Sequence, residues 1–149
     1  MIGNWRLVIG ELNMKTKSEN TIEYKTFEDL EVYIIAREFR KKMYALAREL
    51  PEYEKYNLAN QIRRAAVSLT NCIAEGHGRF HYQENIQFLR QSRGSLQELI
   101  DDINVCADED YADLNRLSKL KEEGYALLKK LNGYIKYLRK CKEESVADK

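Results

Sequence analysis

Residues 61–79 read Gln61-Ile62-Arg63-Arg64-Ala65-Ala66-Val67-Ser68-Leu69-Thr70-Asn71-Cys72-Ile73-Ala74-Glu75-Gly76-His77-Gly78-Arg79, and their pattern decides the fold. Together with Leu58, the apolar residues Ile62, Ala65, Ala66, Leu69 and Ile73 recur at three- and four-residue spacing. At about 100° per residue they fall on one stripe, as in a helix that buries one face. Ala65 and Ala66 are small, so a neighbouring helix can come close there. Gly76 and Gly78 supply the permissive backbone that ends a helix and turns the chain.

The opposite face carries Asn57, Asn60, Arg64, Val67, Ser68, Asn71 and Glu75. A solvated helix face is usually dense in Lys and Glu, whereas this one is mostly small and amide-bearing. It is either an exposed face of unusual composition or a second contact surface, for another subunit or a nucleic-acid backbone. Asn and Ser hydrogen-bond across either without desolvating a charge. Asn60, Val67, Ser68 and Asn71 are the candidate subunit-interface residues.

Working outward, residues 27–50 form the first expected helix, with Thr26 and Asp29 as a capping box. Its stripe is Phe27, Leu30, Ile34, Ile35, Phe39, Met43, Leu46 and Leu50, flanked by Tyr33 and Tyr44. Pro51 breaks it, and the short Pro51-Glu52 turn predicts an antiparallel second helix over 53–76. The third helix starts at His81 as N-cap, with Glu84 in its first turn and a stripe of Tyr82, Ile86, Leu89, Leu96, Ile100, Ile103 and Ala107. Gly94-Ser95 interrupts it, for which a close packing contact is the expected reason. Arg93 falls near the apolar side and calls for a partner, with Glu75 and Glu84 as candidates.

The acidic connection Asp108-Glu109-Asp110-Tyr111 leads to a fourth helix over 112–140. Its Leu114, Leu117, Leu128, Leu131, Ile135 and Leu138 sit at near-heptad spacing, with Gly124 on the same seam. The pattern predicts an all-α helical bundle built from these four helices. Residues 1–25 are expected to be a mobile arm, in which Met14 is a second candidate start, and 141–149 a frayed tail.

Composition narrows the function classes. The chain has 149 residues, a formal net charge of +1, 33% charged residues and a single proline. That length suits one domain, and near-neutrality provides no global field to draw in nucleic acid, so any such binding uses a local patch. Cys72, Cys106 and Cys141 are too scattered for a disulfide framework, which favours a reducing cytoplasm. No apolar run reaches the ~20 residues of a membrane span.

Catalytic chemistry finds little support. His77 and His81 are the only histidines, and a glycine turn separates them; no Cys-x-x-Cys or His-Glu-x-x-His pattern accompanies them, so no metal or cofactor is expected. Cys72 lacks a histidine at helical spacing and reads as a buried small hydrophobe. Gly76-His77-Gly78 lacks the Gly-Lys-Ser/Thr ending of a phosphate loop. The arginines remain. Arg63, Arg64, Arg79 and Arg90 would gather at one end of a bundle whose second and third helices are antiparallel, and a local arginine patch binds phosphates by releasing counterions. The competing reading spends them in surface salt bridges with Glu75, Glu84 and Glu98. Phe80 and Tyr82 beside them suit base stacking or core packing equally.

Four stretches carry a resemblance. They are Phe27-Glu28-Asp29-Leu30-Glu31-Val32-Tyr33, the Gln61–Ala66 segment, the Asn71–Arg79 segment, and Phe88-Leu89-Arg90-Gln91-Ser92-Arg93-Gly94-Ser95-Leu96-Gln97-Glu98-Leu99. In order and spacing they resemble the bacterial four-helix-bundle family encoded in intervening sequences of 23S ribosomal RNA genes, over about residues 26–140. The accessory variability determinant of diversity-generating retroelements looks like the same fold. The resemblance implies an antiparallel up-down four-helix bundle over 26–140 that assembles as a homo-oligomeric ring, typically a pentamer, and binds nucleic acid, RNA ahead of DNA, with no catalytic residues. It also implies an alternative: a scaffold or protein-binding module, including an accessory role to a reverse transcriptase. The family often places Ser where His81 stands.

Overall fold

The computed structural model describes residues 26–148, so the arm over 1–25 and the second start at Met14 lie outside the described residues. Four helices carry the fold: α1 (Glu31–Glu49), α2 (Leu58–His77), α3 (Tyr82–Asp108) and α4 (Leu114–Ala147). Short 3-10 turns at Phe27–Asp29 and Glu52–Glu54 precede α1 and α2, and no strand occurs among the described residues. α1 packs on α2, α2 on α3, α3 on α4 and α4 back on α1, so the four close around one core.

The α2 stripe lies where its spacing placed it. Leu58, Ile62, Ala65, Ala66, Leu69 and Ile73 are all buried. Each large aliphatic among them contributes roughly 1.5–3 kcal/mol by leaving water. On α4 the buried residues Leu117, Leu120, Gly124, Leu127, Leu131, Ile135 and Leu138 keep to three- and four-residue steps. Leu114 is exposed and Leu128 half-buried; Leu120 and Leu127 take the core positions.

Boundaries moved for local reasons. The Thr26–Asp29 box is present, with Thr26 Oγ1 accepting from Glu28 N and Asp29 Oδ2 from Thr26 N, each at 3.2 Å. It caps the 3-10 turn, and the extended backbone of Leu30 delays α1 to Glu31. That start turns Val32, Tyr33 and Ala36 into the core and leaves Ile34 and Ile35 half-buried. α2 begins at Leu58, not Tyr53. The connection after Pro51 is held by Glu54, whose carboxylate accepts from Asn57 Nδ2 at 3.0 Å and from the Tyr111 hydroxyl at 3.1 Å. α4 starts at Leu114 because Asp113 Oδ2 accepts from Arg116 N at 3.0 Å, an N-cap the spacing did not reveal. Its helix continues to Ala147, past the end expected at Lys140, with Lys142 Nζ reaching Gln83 Oε1 of α3 at 2.7 Å.

Glycine placement corrects one expectation. A Cβ at Gly124 would lie 3.0 Å from Ile100 Cγ1 and 3.3 Å from Phe39 Cζ, so this glycine lets α4 sit close to α3 and α1. Gly94 has no such role: a Cβ there meets nothing within 4 Å. The α2–α3 approach runs instead through its serine neighbours. Ser92 Oγ donates to Leu69 O at 2.7 Å and Ser95 Oγ to Ser68 Oγ at 2.9 Å.

Candidate nucleic-acid interface

None of Arg63, Arg64, Arg79 and Arg90 pairs with a carboxylate among the described residues. The ion pairs present use other cations: Lys41 with Glu38, Lys42 with Glu123, Lys55 with Glu52, Arg116 with Glu49 and Lys130 with Glu31. Arg63 Nη2 donates to the Lys55 carbonyl at 3.3 Å, and the Arg79 guanidinium lies 4.9 Å over the Phe88 ring. Arg64 and Arg90 are exposed. Arg93 donates to Asn132 Oδ1 of α4 at 2.9 Å, so its partner is an amide and not Glu75 or Glu84.

The four arginines do not form one cluster. Arg63 and Arg64 stand near the start of α2 and Arg79 just beyond its end. The rise of about 1.5 Å per residue separates Arg64 from Arg79 by roughly 20 Å along the axis. A shared helix brings together residues three or four apart, not residues fifteen apart.

What the structure does bring together is Arg63, Arg64 and the candidate interface residues. Asn60, Val67 and Asn71 are exposed and Ser68 is half-buried. Arg63, Arg64, Val67, Ser68 and Asn71 line one open concavity of about 580 Å³ with Tyr44, Cys72 and Glu75. Arg64 and Ser68 also line a second, of about 620 Å³, with Ser95 and Glu98. Glu75 and Glu98 therefore share these hollows without closing an ion pair. The outward face of α2 is one surface in which cation, amide and hydroxyl groups alternate.

Cys72 is buried, with Ser68 Oγ at 3.7 Å and Gln91 Oε1 at 3.9 Å from its sulfur. His77 ends α2, and His81 stands at the N-cap of α3 without a side-chain cap bond. The His81 ring meets Phe80 edge-on at 5.2 Å, and Phe80 is 95% exposed, which excludes core packing for it. Among the described residues no group of three His, Cys, Asp or Glu could hold a metal ion.

A second polar cluster escaped the sequence reading. Asp102 is buried on α3, and burial, then Glu98 and Asp101, raise its carboxyl pKa to about 6. The Cys106 thiol is pushed up to about 11 by burial, then by Asp102 and Glu54. The Tyr111 hydroxyl is raised by its hydrogen bond with Tyr53, then by burial and its bond to Glu54. The signal was available: Leu99, Asp102, Ile103 and Cys106 stand at core spacing, which puts an acid on the buried stripe.

Four helices packed around one apolar core, with no strand among the described residues, define an all-helical four-helix bundle. The family model of the 23S rRNA-intervening sequence proteins matches residues 28–133, and the chain belongs to that family. No curated protein matches it. No described helix is long and apolar enough to cross a membrane.

Proposed function

We propose that this chain is a non-enzymatic, cytoplasmic nucleic-acid-binding protein that works as a homo-oligomeric ring, with RNA as its favoured partner. The observation that carries the reading is the set of arginines left without carboxylate partners among the described residues. A cation not spent on a carboxylate is available to a phosphate, and each such contact releases counterions. The family's link to 23S ribosomal RNA genes supports RNA over DNA.

The up-down arrangement belongs to the same reading. Glu31, Lys42 and Glu49 of α1 meet Lys130, Glu123 and Arg116 of α4 in reverse order, as antiparallel neighbours do. The polar face of α2, with Asn60, Val67, Ser68 and Asn71, supports a subunit contact, and a pentamer is the expected ring. Multivalency would then multiply a weak site. Phe80, at 95% exposure beside Arg79, favours a second reading, a scaffold or protein-binding module that includes a reverse-transcriptase accessory role.

The test is a titration of the full chain against a structured 23S ribosomal RNA fragment and a duplex DNA of equal length, across a salt series, with mass by light scattering. Binding that falls steeply with salt, and weakens in R64A/R79A while the oligomer holds, supports the reading. An intact oligomer that binds neither polymer at low salt overturns it in favour of the scaffold.

A further inference from the structure

We propose that the outer face shared by α3 and α4 is a binding surface for the sugar-phosphate backbone of a nucleic acid; the assignment rests on the nucleic-acid reading above and locates it. Over residues 85–97, α3 contains no Asp or Glu and carries Arg90 and Arg93. Over 124–142, α4 contains none either and carries Lys129, Lys130, Lys136, Arg139 and Lys140, with Lys142 at its end. These two stretches lie side by side. Arg93 bonds Asn132, Lys142 bonds Gln83, and Gly124 packs against Ile100. Of the acids of α3, Glu98, Asp101, Asp102 and Asp108 lie beyond one end of this stretch and Glu84 beyond the other. A chain of near-zero net charge thus concentrates cations on one part of its surface.

Most of those cations are unspent. Lys130 meets Glu31 of α1 at 2.9 Å. Arg90, Lys129, Lys136, Arg139 and Lys140 are exposed and pair with no carboxylate among the described residues. Steps of seven and four residues place Lys129, Lys136 and Lys140 within about 40° of one line, over a length of roughly 16 Å. That line runs opposite the core-facing Leu127, Leu131 and Leu138. It reaches several successive phosphates of one strand, and Glu143 ends it.

A second observation is independent of charge. Gly94 and Gly133 each follow one partner of the Arg93–Asn132 bond, so they stand at the same level on adjacent helices. Both are exposed, and a Cβ on either meets nothing within 4 Å. Among the described residues no packing asks for them, in contrast to Gly76 and Gly124. A missing side chain lets another backbone come close. On the α1 side of Gly133 a concavity of about 560 Å³ opens, lined by Leu30, Glu31 and Val32 together with Lys129, Lys130 and Tyr134. Exposed glycines one helical turn from Arg90, Lys129 and Lys136 fit a phosphate backbone better than a second copy of the same face, which would repel it.

The test measures fluorescence anisotropy of the full chain with a hairpin RNA whose stem has about 16 base pairs, and with duplex DNA of the same length. In K129Q/K136Q/K140Q the slope of log affinity against log salt should fall by about 2–3, with at least roughly tenfold weaker binding near 0.1 M salt. G133Q keeps the charge and favours helix, so its circular dichroism should hold while affinity drops about tenfold. R63Q/R64Q on α2 is the comparison. Loss of binding in R63Q/R64Q with both α3–α4 variants unaffected overturns this surface and leaves the nucleic-acid reading standing. Failure of the unaltered protein to bind either polymer at low salt overturns both. A changed oligomer mass in the α3–α4 variants with unchanged RNA affinity also overturns the assignment, because the face would then be a subunit contact.

Discussion

Replacing Asp102 by Asn should stabilise the protein at neutral pH, and the gain should vanish in mild acid. Asp102 is buried on α3, where desolvation and the neighbouring Glu98 and Asp101 raise its pKa from 3.8 to about 6. A raised carboxylate pKa means that the folded state binds the proton more tightly than the unfolded chain. Stability from this group is therefore present at low pH and is lost as pH rises from about 4 to about 6. The full shift corresponds to about 3 kcal/mol. Water reaching the carboxylate screens part of this, so the expected cost at pH 7 is about 1–2 kcal/mol. Asn has the same shape and no charge, and it removes the cost without opening a cavity. Urea melts of the two proteins across pH 4–8 isolate the effect, because every other titrating group is common to both. The difference should be near zero at pH 4 and reach its plateau above pH 6. An Asn variant that is equally or less stable at pH 7, or whose gain persists at pH 4, refutes the account of Asp102 as a destabilising buried acid.

Glycine substitutions should split by position. G94A fills open space on an exposed helix and should raise stability by about 0.5–1 kcal/mol in thermal melts. G124A pushes a methyl to 3.0 Å from Ile100 and should lower stability by about 1–3 kcal/mol. L69A, at a fully buried site on the α2 stripe, should cost about 2–5 kcal/mol in urea unfolding. D113A removes the side-chain cap from α4 and should cost about 1 kcal/mol, seen also as faster amide exchange at Arg116.

How much of this was legible follows from what spacing encodes. Periodicity reports which face of a helix is buried, and for α2 the expected and observed residues coincide because that helix runs unbroken through the stripe. Periodicity says little about where a helix starts. Leu30 and residues 53–57 are read as helical because nothing in their composition breaks a helix, while the backbone there is set by the Thr26–Asp29 cap and by the Glu54–Tyr111 bond across the fold. That bond links residues far apart in the chain, so no local rule could supply it. Gly94 misled for a related reason: a glycine in a helix announces that a side chain is absent and not what profits from its absence. The unpartnered state of the arginines was open in the sequence, since Glu75, Glu84 and Glu98 stood at plausible distances in one dimension. Only the packed helices show that none of them closes a pair.

The α2 face and the α3–α4 face make different demands on an oligomer. Arg64 lies among Val67, Ser68 and Asn71, the residues proposed for the subunit contact, and lines the same hollow with them. A ring built through that surface would draw Arg64 into the interface and take it from any phosphate. Lys129, Lys136 and Lys140 stand on another helix, opposite the core, and a contact through α2 leaves them outward. Assembly and nucleic-acid binding are therefore separable on the proposed reading. N71R should lower the oligomer mass in light scattering by forcing a bulky charge into the contact, while each dissociated subunit keeps the salt-dependent part of its RNA affinity and loses only the multivalent gain. RNA affinity that disappears altogether in a folded, dissociated N71R protein would show that binding needs groups from two subunits, and would move the site back to α2.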